Sequence, residues 1–419
     1  MKITKSDILR FIERVALGLV ILMPICIITS RGLSVMNMNI GGALFIISLA
    51  ITKDFRFLKQ KWLIAALIFW LYLILRSLFQ ATIEETAAPL GPPLYYARGF
   101  LYALLFQNIV IKNDRVAINK YLIWSSFIAI MFFMINGYVQ FILGKDLLGI
   151  PIRDEGYYKR ITSFSAGPFC AQLVSMFVFP LLSISLFYFA IHKKTIKISH
   201  FFFYLLVAGF ILISGERAAM LGLLIGGAIV VMVVFKYRAK LALAFTTSVT
   251  VLLGVFYFTV PSSIIDRQLH GLINSIKNFE NSDYGQLWIA GFRIGLEHPI
   301  FGVGTKNYEK YCKLISNYCE KVPHSPYVHM FSEYGLVGLI LYIVLLYYIF
   351  SELILSFKKI TDQFSKFLLF GVIITIVQRV LVVTSVSFFA HWYTIMLWFM
   401  IGWGLYIIRI SDRLVNKLR

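Results

Sequence analysis

The sequence predicts an all-α polytopic membrane protein with about twelve spanning helices and one large extramembrane loop. Three observations carry that prediction. Of 419 residues, 59% are hydrophobic and 14% charged, whereas a soluble domain carries roughly a quarter charged residues. Apolar runs of about 18–24 residues recur along the chain, close to the roughly 20 that a helix needs to cross a bilayer. Runs of that length exclude a β-barrel, whose strands need only about 10 alternating residues. The third observation is a single long polar interval, 261–326. It is too small for an independent domain and is expected to form a helical lid within one membrane domain that covers 1–419.

The spans are read at about 15–30, 33–51, 62–80, 94–111, 120–143, 167–191, 199–214, 218–235, 240–260, 327–350, 366–383 and 388–408. The first is not a cleavable signal peptide, because a second apolar run follows at once without a small-residue cleavage site. Arg76 lies near the outer end of the third span and Arg98 just inside the fourth, after LGPPLYY. Each either snorkels to the headgroups or lines a pocket for an anion. The loop 144–166 ends in a Gly-Pro that starts the next helix, and Arg160 lies where the chain dips back toward the bilayer. SGERAA, residues 214–219, joins two spans with almost no loop. Ionisable groups at that depth usually face a protein interior or a wet cavity. Glu216 and Arg217 therefore either pair locally to close the turn or leave Arg217 as an anion site.

In the polar interval Ile264, Ile265, Leu269, Leu272, Ile273, Ile276 and Phe279 recur at helical spacing, a face suited to the membrane surface or to capping the spans. A second helix at about 284–297 brings Trp288 and Arg293 toward the turn HPIFGVG. A further, soluble-looking helix then leads to His324 and the next apolar run.

Orientation follows from the Lys/Arg bias of short loops. With the N-terminus in the cytoplasm, the seven inner segments hold 24 of the 40 Lys and Arg and, counting Glu352 at the inner end of its span, 7 of the 20 carboxylates. The net charge of +20 thus reports topology and is poor evidence for nucleic acid. Four cysteines are too few for a disulfide scaffold. Cys312 and Cys319 share the outer loop, where a bridge could form in an oxidising compartment; seven residues of unbroken helix would span about 10 Å and forbid it. No HExxH, CxxC, Asp-X-Asp pair or ATP-binding loop occurs, so no metal site and no cofactor are expected.

His324 sits between Pro323 and Ser325-Pro326 at a helix start, and a neutral imidazole there is a good general base near neutral pH. The alternative reading is an interfacial histidine that caps the helix. His298 and His329 are read as packing residues. Around His324 the sequence resembles a family. PHSPYVHMFSEYGLVG has the histidine, ten intervening residues and a glycine (His324 to Gly335), with Glu333 two residues before it. This resembles the signature of the O-antigen ligase family, which includes O-antigen and exopolysaccharide polymerases. HPIFGVGTKNY resembles that family's Gly-rich turn, SGERAA its Ser-Gly-x-Arg segment, and RITSFSAGPFCAQL its arginine-bearing stretch. In the last, Phe169 follows Pro168 where Asn is common.

The resemblance implies a GT-C-like helical fold and a metal-independent inverting glycosyltransferase in a Gram-negative inner membrane. Its donor would be a glycan on undecaprenyl pyrophosphate, presented on the periplasmic face, and its acceptor the lipid A-core oligosaccharide. By this similarity His324 deprotonates the acceptor hydroxyl, and Arg217 and Arg160 neutralise the pyrophosphate leaving group. Arginine stays charged and binds phosphate oxygens bidentately, so it can replace a divalent metal. Arg98, Arg293 and Glu333 are further pocket candidates, and Tyr327, Tyr334 and Trp288 could offer faces to sugar or lipid. The rival within the family is a polymerase using the same donor. A twelve-span transporter or lipid flippase is a different class, but such proteins often show two similar halves and midplane helix breaks, whereas here the polar features gather at the outer surface and the halves look unlike.

Overall fold

The computed structural model describes residues 4–84, 89–109, 115–154, 159–164, 170–191, 198–237, 239–259, 262–381, 389 and 391–418. In chain order the membrane-side helices are α1 (Lys5–Thr29), α2 (Arg31–Thr52), α3 (Lys61–Glu84), α4 (Gly91–Asn108), α5 (Arg115–Leu143), α6 (Cys170–Ile191), α7 (Ile198–Ile213), α8 (Arg217–Tyr237) and α9 (Ala239–Thr259). The extramembrane segment holds α10 (Ser262–Ile265), a π-turn Asp266–His270, α11 (Gly271–Lys277), α12 (Asp283–Glu297) and α13 (Tyr308–Ile315). The chain closes with α14 (Pro326–Lys359), α15 (Gln363–Leu381) and α16 (His391–Leu418).

Twelve of these helices overlap the twelve apolar runs one for one. Among the described residues, eight are long and apolar enough to cross a membrane. The protein is therefore a polytopic helical membrane protein. The all-α expectation needs one small correction: β1 (Arg153–Asp154) and β2 (Lys159–Arg160) form a two-residue antiparallel ladder, with Arg153 opposite Arg160.

Helix α16 is the axis of the bundle. Its apolar window is 94% buried, and it packs against α4, α14 and α15. Trp398 sits at its centre among Trp62, Tyr96 and Phe100. Burial of such large aromatic rings dominates core energetics. On one side α1, α2, α4 and α5 pack together; on another α15 packs on α6, and α6 on α8.

Helix α14 begins with Ser325 as N-cap and Pro326 in its first turn, the arrangement that satisfies the orphan amides of a helix start. It breaks at Gly335, whose φ of 66° and ψ of −166° are non-helical. The turn HPIFGVG docks into this break. Leu336 N–H donates to Pro299 O at 2.7 Å, and Gly304 N–H donates to Glu333 O at 2.8 Å. A Cβ on Gly335 would stand 2.3 Å from Ile300 O, and one on Gly302 would stand 2.4 Å from the Glu333 carbonyl carbon. Both glycines are required by close backbone approach as well as by positive φ.

Arg76 belongs to the same joint. Its Nε donates to Phe301 O and its Nη2 to Gly302 O, both at 2.8 Å. Arg76 thereby ties α3 to the Gly-rich turn, while its Nη1 is buried and makes no hydrogen bond among the described residues. Tyr334 is likewise structural. It is fully buried, with its hydroxyl against Thr305 Oγ1 and its carbonyl accepting from Tyr72.

Candidate functional site

Five segments distant in sequence converge at the end of the bundle where α14 begins. The first is the loop after α5. Gln140 Oε1 accepts from the amides of Thr162 and Ser163, at 2.8 and 2.9 Å, and Ser163 Oγ donates to Phe133 O. These bonds pull Ile161, Thr162 and Ser163 into the core and hold β2, with Arg160, over the α7–α8 turn. Arg160 acts electrostatically on both Glu216 and Tyr284. The Gly-Pro of that loop and Phe169 lie outside the described residues.

The second segment is the α7–α8 turn, where Glu216 and Arg217 part company. Glu216 accepts from the amides of Ala171 and Gln172, at 2.9 and 3.1 Å, and so caps the N-terminus of α6. Burial raises its pKa, while the Arg160 charge pulls it back. The local Glu216–Arg217 pair is thus not formed. Arg217 points the other way, its Nη1 donating to Gly271 O at 2.9 Å and to Ser275 Oγ at 2.8 Å on α11. Among the described residues its Nη2 and Nε donate to nothing, and the side chain is half-buried.

Tyr284 on α12 links the arginines to the histidine. Burial pushes its phenol up, while the Arg217 and Arg160 charges act in the opposite direction. Its ring stands edge-on to the His324 imidazole, with centroids 5.8 Å apart.

His324 itself sits just before the helix, at φ 53°, a left-handed conformation that costs a non-glycine residue roughly 1–2 kcal/mol. Strain of this kind clusters at functional sites. Its Nε2 lies 2.7 Å from Glu320 Oε2, and the other carboxylate oxygen, Oε1, accepts from the Tyr318 hydroxyl at 3.0 Å. Because the carboxylate can only accept, Nε2 is the donor in this contact, and in the neutral imidazole the lone pair then lies on Nδ1. Nδ1 is buried and makes no hydrogen bond among the described residues.

A disulfide fixes this segment. Cys312 and Cys319 are bonded, with Cα atoms 5.9 Å apart. The bridge is possible because α13 ends at Ile315 and the chain turns back. The covalent loop lies one residue before Glu320.

The other sequence candidates fall elsewhere. Glu333 is buried and paired with His329 Nε2 at 3.1 Å, and it also accepts from Tyr308 N–H; the pair lies inside α14. Arg293 is on the exposed face of α12. Arg98 is buried on α4 beside the Tyr95 ring. Tyr327 donates to Val380 O, and Trp288 stacks edge-on with Phe279. Sequence reasoning passed over Glu320, Tyr318, Tyr284 and Arg379, the last of which is buried and donates to Gln172 Oε1 and to Gln172 O. Among the described residues no three His, Cys, Asp or Glu side chains are grouped to hold a metal ion.

Below the arginines, α6, α7, α8 and α9 enclose an apolar groove of about 390 Å³. Leu182, Val207, Leu224 and Val231 line its depth. Ile211, Leu212 and Met220 line it beside the turn that carries Arg217.

Residues 202–343, from α7 into α14, match the family model described as O-antigen ligase. That stretch contains Arg217, Tyr284, Glu320, His324 and Glu333; Arg160 lies before it. No curated protein matches the chain.

Proposed function

We propose that this chain, which carries an O-antigen ligase family domain at residues 202–343, joins O-antigen glycan to the lipid A-core oligosaccharide. The donor is the glycan on undecaprenyl pyrophosphate. The observation that carries this reading is that Tyr284, in ring contact with the carboxylate-held His324, also feels the charges of Arg217 and Arg160, while an apolar groove opens beside the turn that carries Arg217. A lipid pyrophosphate matches that pattern: its isoprenoid chain suits the groove and its phosphates suit Arg217 and Arg160.

In the reaction, His324 Nδ1 takes the proton of the acceptor hydroxyl. The acceptor oxygen attacks the anomeric carbon from the face opposite the leaving group, and the bond from that carbon to the pyrophosphate oxygen breaks. The lipid pyrophosphate departs with its charge met by the guanidinium groups, which are already in place before charge develops. Glu320 then stabilises the imidazolium. Since Nδ1 is covered by protein, the acceptor reaches it only after Tyr284 or the 318–324 segment moves aside. The arginines supply positioning and charge without a divalent cation.

A ligase is favoured over a polymerase because one outer loop dominates and carries the complete histidine motif. Twelve spans in a GT-C-like arrangement, one membrane domain over 1–419, both termini in the cytoplasm and a periplasmic 261–326 complete the proposal, supported by the Lys/Arg distribution. Labelling of a cysteine placed at Ser282 only from the cytoplasmic side would overturn that topology. The functional test incubates purified protein with lipid-linked glycan and either lipid A core or further lipid-linked glycan. Transfer to the core supports the ligase reading. Chain extension alone makes the protein a polymerase, and transfer to neither refutes both.

A further inference from the structure

A second pocket lies at the end of the bundle remote from His324, where α2 and α4 stop and α16 runs past them. It measures about 310 Å³, at the small end for ligand pockets, which run from about 300 to 1,000 Å³. Its walls include Phe45, Leu49 and Phe57, and its polar groups include Arg409, Arg56 and Gln107.

Among the described residues, two of these groups lack protein partners. Gln107 is 2% exposed, and its Oε1 is buried without a hydrogen-bond partner. A buried amide oxygen left unsatisfied is costly, so such groups call for an explanation. Arg409 is half-buried between Ile408 and Ile410. Among the described residues it has no ion pair or hydrogen bond. An arginine within a spanning helix normally pairs or faces a wet cavity, and this one faces the pocket. Arg56 is different: its Nε and Nη2 hold both oxygens of Asp54, which cancels its charge locally.

The pocket therefore presents opposite polarities. Arg409 calls for an anion. Gln107 Oε1 calls for a donor, and the C-terminal ends of α2 and α4 add partial negative charge. A bare anion would leave the amide oxygen unpaired and meet the negative helix ends. A simple cation would meet Arg409. A phosphate ester carrying an amine a few ångströms away satisfies both.

We propose that this pocket binds a phosphoethanolamine group, with its phosphate on Arg409 and its ammonium on Gln107 Oε1. The apolar walls and the outward-facing Ile46 and Ile47 of α2 suit a diacyl lipid whose chains lie along that helix. The site is separate from the transferase reading and stands whether or not His324 is a base.

The test is native mass spectrometry of the delipidated, full-length protein with three probes: phosphatidylethanolamine, phosphatidylglycerol and glycerophosphoethanolamine. Phosphatidylethanolamine should bind best, and Arg409→Gln should weaken it about tenfold or more, as expected for a lost charge-assisted bond. Gln107→Leu should weaken phosphatidylethanolamine but leave phosphatidylglycerol unchanged. Arg409→Lys, which keeps the charge, should retain binding and reports a folded protein in case the Gln variant is unstable. Glycerophosphoethanolamine should compete weakly, since it carries the same polar group without acyl chains. Equal binding of the two lipids together with indifference to Gln107→Leu would overturn the amine assignment. Undiminished phosphatidylethanolamine on folded Arg409→Gln would overturn the site. Tight binding of glycerophosphoethanolamine with none of the lipid would overturn the membrane source.

Discussion

Replacing Glu320 by glutamine tests whether His324 works as a held base. The carboxylate lies 2.7 Å from Nε2, and a hydrogen bond to a charged group contributes about 1.5–3 kcal/mol against about 0.5–1.5 for a neutral one. Glu320 is 45% exposed, so solvent screening places the difference near the low end, about 1 kcal/mol. That predicts about a fivefold loss of kcat if glutamine presents its carbonyl oxygen to Nε2–H. If it presents its amide N–H instead, Nε2 becomes the acceptor, the proton moves to Nδ1, and the base is lost. The same wrong-tautomer logic lowers kcat by about 10⁴ in the Ser-His-Asp proteases. The loss should therefore be fivefold at least, and Glu320→Ala should lose more than Tyr318→Phe, which removes only the support to Oε1. Donor binding should be unaffected, because the phosphates lie on the arginines. The assay is steady-state transfer from lipid-linked glycan in detergent micelles, with donor affinity measured separately. Wild-type kcat in a folded Glu320→Ala protein would refute the argument. A variant that loses donor binding in proportion to rate would also refute it, since the carboxylate would then be holding the loop rather than the imidazole.

His324→Ala should fold and bind donor yet lose about 10²–10⁴ in rate, with wild-type transfer indifferent to EDTA; restoration of chelator-treated enzyme by a divalent cation would mean that arginines do not carry the leaving group alone. Arg217→Lys keeps a charge on α8 but loses the fork, and should lower transfer by about 10–10²; full activity would return Arg217 to an anchor for α11. Opening the Cys312–Cys319 bridge with Cys312→Ser and Cys319→Ser together frees a short loop with a sequence separation of 7. Chain entropy puts the loss at about 2.5 kcal/mol, read as greater local hydrogen exchange at 316–324 and a fall in kcat through Glu320; unchanged exchange and rate would show that the loop is held by its other contacts.

Much of the fold was legible because spanning helices are set by length and apolarity, which are local properties. The twelve runs match twelve helices, and the soluble-looking helix before His324 is α13. The site was legible only where one residue carries its chemistry in its own neighbourhood. His324 stood out from its place before a helix, and Arg217 from its depth in a turn. Partnerships were not legible. Arg76 finds its acceptors 225 residues away, and Arg379 finds Gln172 at a separation of 207. Nothing around either arginine in the chain specifies those carbonyls. Glu216 and Arg217 show the reverse case, since adjacency left a local pair open. Adjacent residues at a helix start point in different directions, and each found a better-placed partner in another segment.

Glu320 is the most instructive omission. Its spacing to His324 is i to i+4, the spacing that pairs side chains on a helix, but Pro323 precludes a regular helix there. The pair forms because the chain folds back after Ile315, the disulfide pins it at Cys319, and His324 adopts a left-handed backbone. No helical pattern could have predicted that contact. The same turn leaves Nδ1 buried, away from bulk water. A histidine that merely capped α14 would need neither the strained backbone nor the carboxylate, since Ser325 already supplies the cap through its side-chain oxygen to Val328 N–H. The cost of the His324 conformation is therefore left unexplained by the helix start, and it is what the proposed base, whose free nitrogen must be aimed, would require.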